Sequence, residues 1–79
     1  MLTIHTRYFA SLKEHRGCSE ESLSVENGTT TTQLQERLFP KALEHIPPIR
    51  FALNQEYRTE ETQLNDGDEM AFFPPLGGG

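Results

Sequence analysis

Cysteine occurs once in this chain, at Cys18, so no internal disulfide can form and the composition agrees with a reducing compartment. Long apolar runs are missing too. No stretch approaches the roughly 20 residues that span a bilayer, and the N-terminus has no basic region followed by an apolar segment of signal-peptide type, so the expected location is cytoplasmic and off the membrane. Basic residues number 7 against 12 acidic ones, for a net charge of −5. Nucleic acid is therefore not an expected partner, because phosphate binding wants a basic face. An overall acidic chain favours a basic docking surface on whatever protein it meets, although much of the charge serves solubility. With 79 residues, 34% of them apolar, there is material for one small core and little room for an enclosed active site.

Self-contained catalytic equipment is equally scarce. His5, His15 and His45 fall in different elements without the paired spacing of a zinc or iron site, so no metal is implied. Cys18 lies in a predicted loop among acidic residues, whereas a low-pKa nucleophile wants positive neighbours, and an incidental thiol is the better reading. The acidic residues Glu56, Glu60, Glu61, Asp66, Asp68 and Glu69 lack EF-hand spacing and read as a solvated face. Gly77-Gly78-Gly79 has neither the lysine nor the strand-loop-helix setting of a phosphate cradle.

Hydrophobic spacing changes period several times along the chain, as an α+β fold of short elements requires. Residues 2 to 9 alternate, so Leu2, Ile4 and Tyr8 should face a core while Phe9 joins His5 and Arg7 on the polar side. Ser11-Leu12-Lys13-Glu14 has capping-box spacing and Gly17 suits a helix stop, which predicts a short helix between them. Leu23 and Val25 alternate in a second strand over 21–26, closed by Asn27-Gly28. The main helix is predicted from Thr32, with Thr32-Gln33-Leu34-Gln35 as its capping box and Leu34, Leu38 and Phe39 at helical spacing. Pro40 ends it near Leu38 or restarts it, and Pro47-Pro48 closes the region. A third strand is predicted over 50–55 with Phe51 and Leu53 inward, and the turn-rich stretch after it, which holds Tyr57 and Leu64, has room for a short strand. Asn65-Asp66-Gly67-Asp68 turns into a last strand, 69–73, with Met70 and Phe72 inward and Phe73 outward. Strand, strand, helix, strand, short strand, strand suits a mixed sheet curled around one main helix, the β-grasp or ubiquitin-like roll. A ferredoxin-like arrangement is the alternative.

The chain closes on Pro74-Pro75-Leu76-Gly77-Gly78-Gly79. Prolines stop a strand and stiffen the stalk beyond it, and three glycines form a side-chain-free tip able to thread a narrow passage. Residues 1–75 are thus the expected globular domain and 76–79 a flexible tail that presents a main-chain carboxylate. A frayed, inert terminus is the bland alternative. Outward apolar residues around the stalk, Phe9, Tyr57, Phe73, Pro75 and Leu76, with Gly77 and with Lys13 as a charged contact, are the candidate partner-binding residues.

Taken as one segment, residues 64–75, Leu-Asn-Asp-Gly-Asp-Glu-Met-Ala-Phe-Phe-Pro-Pro, followed by a Gly-Gly end, resemble the MoaD/ThiS family of sulfur carriers, and its molybdopterin synthase branch in particular. Tyr8-Phe9-Ala10, Lys13-Glu14, Gly17 and Ala52-Leu53-Asn54-Gln55 add to the likeness, whereas the middle, 18–48, shares only element order. Gly77 departs from the family, which usually carries a side chain there.

The resemblance implies a chemistry centred on Gly79, with Gly78 threading the tail. A MoeB-like, E1-type enzyme would use ATP to adenylate the Gly79 carboxylate, and a persulfide donor would convert it to a thiocarboxylate. A MoaE-like large subunit, in a heterotetramer of two small and two large subunits, would supply the catalytic side chains and take the sulfur into cyclic pyranopterin monophosphate to build the molybdopterin dithiolene. The chain itself would be a non-catalytic cosubstrate binding no cofactor or metal. A ThiS-like carrier for thiazole synthesis, a ubiquitin-like modifier joining Gly79 to lysines, and an inert interaction domain remain as alternatives.

Overall fold

The computed structural model describes residues 1–40, 49–58 and 60–74. Strand β1, Leu2–Tyr8, alternates as its sequence requires: Ile4, Thr6 and Tyr8 are buried, Leu2 packs at the core's edge, and the odd positions are exposed. It pairs antiparallel with β2, Glu20–Val25, bringing Leu23 opposite Ile4 and Val25 opposite Leu2 on the core face. Strand β3, Arg50–Leu53, forms a hairpin with β4, Glu56–Arg58, and pairs on its other side with β5, Glu69–Phe73. β5 in turn lies parallel to β1, and the sheet order is β2-β1-β5-β3-β4. Among the described residues the sheet has five strands, and β1 and β5 running parallel at its centre make this the β-grasp roll, not the ferredoxin-like alternative.

Helix α1, Ser11–Arg16, follows β1 directly and ends at Gly17, whose φ of 77° places it in the left-handed region that favours glycine. The expected capping box at Ser11 does not form. Ser11 is already helical, and the preceding Ala10 makes the turn at φ 53°, ψ −131° with no side-chain cap. The Leu12 amide donates to the Phe9 carbonyl at 3.1 Å, so Ala10 holds the first central position of a type II′ turn, a place ordinarily given to glycine.

The main helix α2, Thr31–Leu38, starts one residue earlier than its sequence suggests, and its capping box is Thr30 with Gln33 in place of Thr32 with Gln35. Thr30 Oγ1 accepts from the Gln33 amide at 3.2 Å while Gln33 Oε1 accepts from the Thr30 amide at 3.0 Å. Tertiary contacts choose between the two frames. Thr31 is fully buried, donates its amide to the Thr62 carbonyl and accepts the Thr62 amide on Oγ1, which fixes the chain one residue after the cap. At the other end Pro40 does end the helix near Leu38, with Phe39 as C-cap.

Leu34, Leu38 and Phe39 of α2 and Leu12 of α1 close over Ile4, Tyr8, Phe51, Met70 and Phe72 of the sheet. Phe39 meets Tyr8 edge-on at 5.8 Å between centroids and Phe72 at 5.7 Å. Leu64, 2% exposed, also belongs to this core, although its sequence neighbours mark only a turn-rich stretch. β3 stops at Leu53 instead of reaching Gln55, because Asn54 and Gln55, at φ 51° and 70°, form the two-residue turn into β4. His45, Pro47-Pro48 and the expected 76–79 tail lie outside the described residues.

Candidate functional site

Strand parity builds an aromatic platform on the sheet face opposite the helices. In β5, Met70 and Phe72 point into the core, so Ala71 and Phe73 point out. Register then places Arg50 opposite Phe73, and both Ala52 and Arg7 opposite Ala71, with Tyr57 opposite Ala52. Small residues at 52 and 71 leave a shallow floor, and larger side chains stand around it. Phe9 lies just beyond β1, where its amide donates to the Phe72 carbonyl at 3.1 Å and so keeps it alongside β5.

Phe73 is the centre of the group. Its ring meets Tyr57 edge-on at 5.2 Å and Phe9 at 6.1 Å between centroids. Tyr57 is 73% exposed and Phe9 42%, although both are large and apolar in body. The Arg7 guanidinium sits 5.7 Å from the Phe9 ring centroid. Three candidates separated by up to 64 positions in sequence thus form one cluster, exposed at Phe9 and Tyr57 and half-buried at Phe73, at the end of the strand that runs into Pro74.

Lys13 is exposed on α1 and makes neither an ion pair nor a cation–ring contact among the described residues. Pro75, Leu76, Gly77, Gly78 and Gly79, all candidates, lie outside the described residues. Arg7 and Arg50 are site neighbours that the sequence does not single out. Their place beside Phe9 and Phe73 follows from pairing between distant strands, and only the Arg7-Phe9 parity is visible locally.

A polar network lies on the other face of the sheet, where β1 and β2 meet α1. The Tyr8 hydroxyl donates to Glu21 Oε2 at 2.6 Å, and Arg16 donates to the same oxygen through Nε at 3.1 Å and a terminal nitrogen at 2.8 Å. Thr6 Oγ1 shares a 2.8 Å hydrogen bond with Tyr8 and lies 3.1 Å from the Glu21 carbonyl. Burial first, then the hydrogen bond to the Glu21 carboxylate, pushes the Tyr8 hydroxyl up to about 12. The same bond, with help from Arg16, holds the Glu21 carboxyl below its ordinary range against the opposing effect of burial.

The acidic residues expected to form one solvated face are not all solvated. Asp68 is buried: Oδ1 accepts from Asn54 Nδ2 at 3.0 Å and Oδ2 from the Asn65 amide at 2.8 Å, while Asn54 Oδ1 accepts from the Glu69 amide. Asp68 therefore ties the β3–β4 turn to the turn before β5. Asp66 accepts the Thr3 amide at 2.7 Å and Glu61 the Thr30 hydroxyl at 2.7 Å. Short side chains at turns bond nearby backbone, which periodicity alone does not reveal.

His5 shares a 3.1 Å hydrogen bond with Ser22 and lies 3.8 Å from Glu20, while the His15 ring rests 5.7 Å from Phe39. Among the described residues no group of three or more His, Cys, Asp or Glu side chains could hold a metal ion, and no helix is long and apolar enough to cross a membrane. A hollow of about 480 Å³ beside Tyr57 is lined, among the described residues, by Thr32, Gln35, Ile49, Arg50, Phe51 and Arg58, none of which offers a carboxylate, thiol or imidazole.

The family model for the ThiS family matches residues 6–79. The molybdopterin synthase sulfur carrier subunit of Mycobacterium tuberculosis is 34% identical over the whole of both chains, and that of Chlamydomonas reinhardtii is 37% identical, covering 99% of this chain and all of that one. Among solved structures, the complex of subunits 1 and 2 of molybdopterin-converting factor from Helicobacter pylori contains a chain that superposes with a TM-score of 0.68 at 26% identity, covering 99% of this chain and all of that one. Small archaeal modifier protein 1 of Methanosarcina acetivorans superposes at 0.72 with 26% identity, covering all of this chain and 98% of that one.

Proposed function

This chain belongs to the ThiS family and is a sulfur carrier of the molybdopterin synthase type, and we propose that the C-terminal carboxylate of Gly79 is the group that carries the sulfur. The observation that supports this most is the position of the Phe9–Tyr57–Phe73 cluster, an exposed apolar platform at the foot of the segment that leads to the glycines. A partner gripping those three rings receives the tail in a defined direction.

The chemistry stems from what a carboxylate lacks. Expulsion of oxide is prohibitive, so the Gly79 carboxylate first attacks the α-phosphate of ATP on an E1-like, MoeB-type enzyme, releasing pyrophosphate and forming an acyl-adenylate. The terminal sulfur of a protein persulfide then attacks the acyl carbon and AMP leaves. A thiol reduces the resulting S–S bond, which frees a thiocarboxylate on Gly79. In the large, MoaE-like subunit that sulfur attacks the pterin precursor, and water returns Gly79 to a carboxylate. Two such rounds supply the two sulfurs of a dithiolene. Side chains of the large subunit perform the acid-base steps, and this chain binds no cofactor or metal of its own. Glycine at 77, 78 and 79 leaves only main chain in the passage.

Deleting Gly78 and Gly79 tests the assignment. The truncated chain is expected to keep its fold and its affinity for the large subunit while sulfur transfer is abolished. Transfer retained by the truncated chain overturns the assignment of the carboxylate. The likeness to a small archaeal modifier protein favours one second reading, attachment of Gly79 to protein lysines, and adducts that survive thiols and mild base would support it.

A further inference from the structure

The chain carries a net charge of −5, which by itself favours a basic surface on a partner. The platform carries positive groups of its own. Arg50 stands opposite Phe73 in register, and Arg7 stands opposite Ala71 with its guanidinium over the Phe9 ring. Both are exposed, and neither forms an ion pair among the described residues. Elsewhere the arginines are engaged: Arg16 with Glu21, Arg58 with Glu56, and Arg37 with the Ser24 carbonyl. Acidic groups of the same sheet face lie at its far end, where Glu69 is opposite His5 and Asp66 holds the Thr3 amide, and at Glu20, which stands opposite Arg7 on the edge strand and lies 3.8 Å from His5.

We propose that Arg7 and Arg50 form a cationic frame around the Phe9–Tyr57–Phe73 cluster and that it selects a partner protein whose apolar docking site is rimmed by Asp and Glu carboxylates. The inference rests on the docking reading above and adds to it the sign of the partner's rim. Exposed guanidinium groups with no ion pair among the described residues keep most of their hydration until docking, so they cost little in the unbound chain. Opposite a carboxylate, each can donate two N–H groups to two oxygens, a bidentate geometry that lysine cannot match. At the rim such pairs act mainly on the association rate and on exclusion of wrong partners, since like charges there repel. Local attraction must also outweigh the repulsion that an acidic chain feels on approaching an acidic rim, so the response to salt reports which sign wins.

The test is association of the full chain with the large subunit of molybdopterin synthase from the same organism, timed by stopped flow at about 0.02 M and about 0.5 M salt. Four chains are compared with wild type, each first shown to be folded by its melting curve: Arg7→Glu, Arg50→Glu, the double variant, and Arg37→Glu as an equal charge change on α2. The expected result is that wild-type association slows as salt rises. The double variant should associate about tenfold more slowly at low salt, with the difference largely gone at high salt, and Arg37→Glu should lie within about twofold of wild type. Wild-type association that speeds up with salt, or a double variant no slower than Arg37→Glu, overturns the frame. Phe73→Ala separates the two levels. If it abolishes binding while the arginine variants bind normally, the frame fails and the docking reading stands; if it binds like wild type, the docking reading fails and the frame with it.

Discussion

Replacing Tyr8 with Phe removes one hydroxyl and keeps the ring in the core, so its effect isolates the polar network around Glu21. Tyr8 is 2% exposed, and its ring packs on Phe39 and Phe72 in a way that Phe preserves. What is lost is a 2.6 Å hydrogen bond to a carboxylate and the 2.8 Å bond shared with Thr6. Bonds to charged groups contribute about 1.5–3 kcal/mol. Glu21 keeps both Arg16 contacts and is partly open to water, and Thr6 can still donate to the Glu21 carbonyl, so the lower part of that range is expected. A loss of about 1.5 kcal/mol lowers the melting temperature of a domain this size by about 6–12 °C.

The pH dependence supplies a second, independent signature. With the folded hydroxyl held at about 12 against an ordinary 10.0, the unfolded chain releases its Tyr8 proton first as pH rises. The unfolded state then binds fewer protons than the native one, so stability falls with rising pH. The contribution is fully present below pH 10 and disappears toward pH 12, at most about 2.7 kcal/mol. Urea denaturation of both proteins from pH 8 to 12 should therefore show wild type more stable at pH 8 and the gap closing as pH rises, since other titrating groups are common to both. A Tyr8→Phe chain as stable as wild type at pH 8, or a gap that stays constant to pH 12, refutes the reasoning.

Three further outcomes are expected. Thr30→Ala removes the cap of α2 and should cost about 1 kcal/mol, whereas Thr32→Ala should be near neutral, a contrast that equilibrium denaturation can read. Asp68→Ala leaves Asn54 Nδ2 and the Asn65 amide without their acceptor and should cost about 1–3 kcal/mol, with faster amide exchange in both turns. As pH falls through the depressed range of Glu21, the stability it contributes is lost, so Glu21→Gln should be less stable than wild type at pH 7 and converge with it in acid.

Much of the fold is legible in the sequence because strand parity is a local property. Ile4 and Tyr8, Phe51 and Leu53, and Met70 and Phe72 can be assigned to the core from alternation alone, and the same alternation leaves Phe9 and Phe73 outside. Thr29 to Thr32 is not legible in the same way. Thr30 and Thr32 each have glutamine three residues later, and the choice falls to Thr31, whose bonds to Thr62 reach 31 positions along the chain. Asp68 looks like one more surface acid because its partner Asn54 is 14 residues away. Arg50 cannot be placed beside Phe73 without knowing that β3 pairs with β5. The most direct signal in the sequence is chemical: a glycine end with no side chain to react leaves the carboxylate as the group to consider.

The most direct test of the central claim is fragment mass spectrometry of the chain after incubation with ATP, an E1-like activating enzyme and a persulfide donor. Fragments are needed because oxidation of Met1 or Met70 nearly matches the exchange of carboxylate oxygen for sulfur in total mass. The expected result is sulfur in place of one oxygen, confined to fragments that contain Gly79. An unmodified Gly79, under conditions where the same enzyme activates a known carrier, would contradict the account.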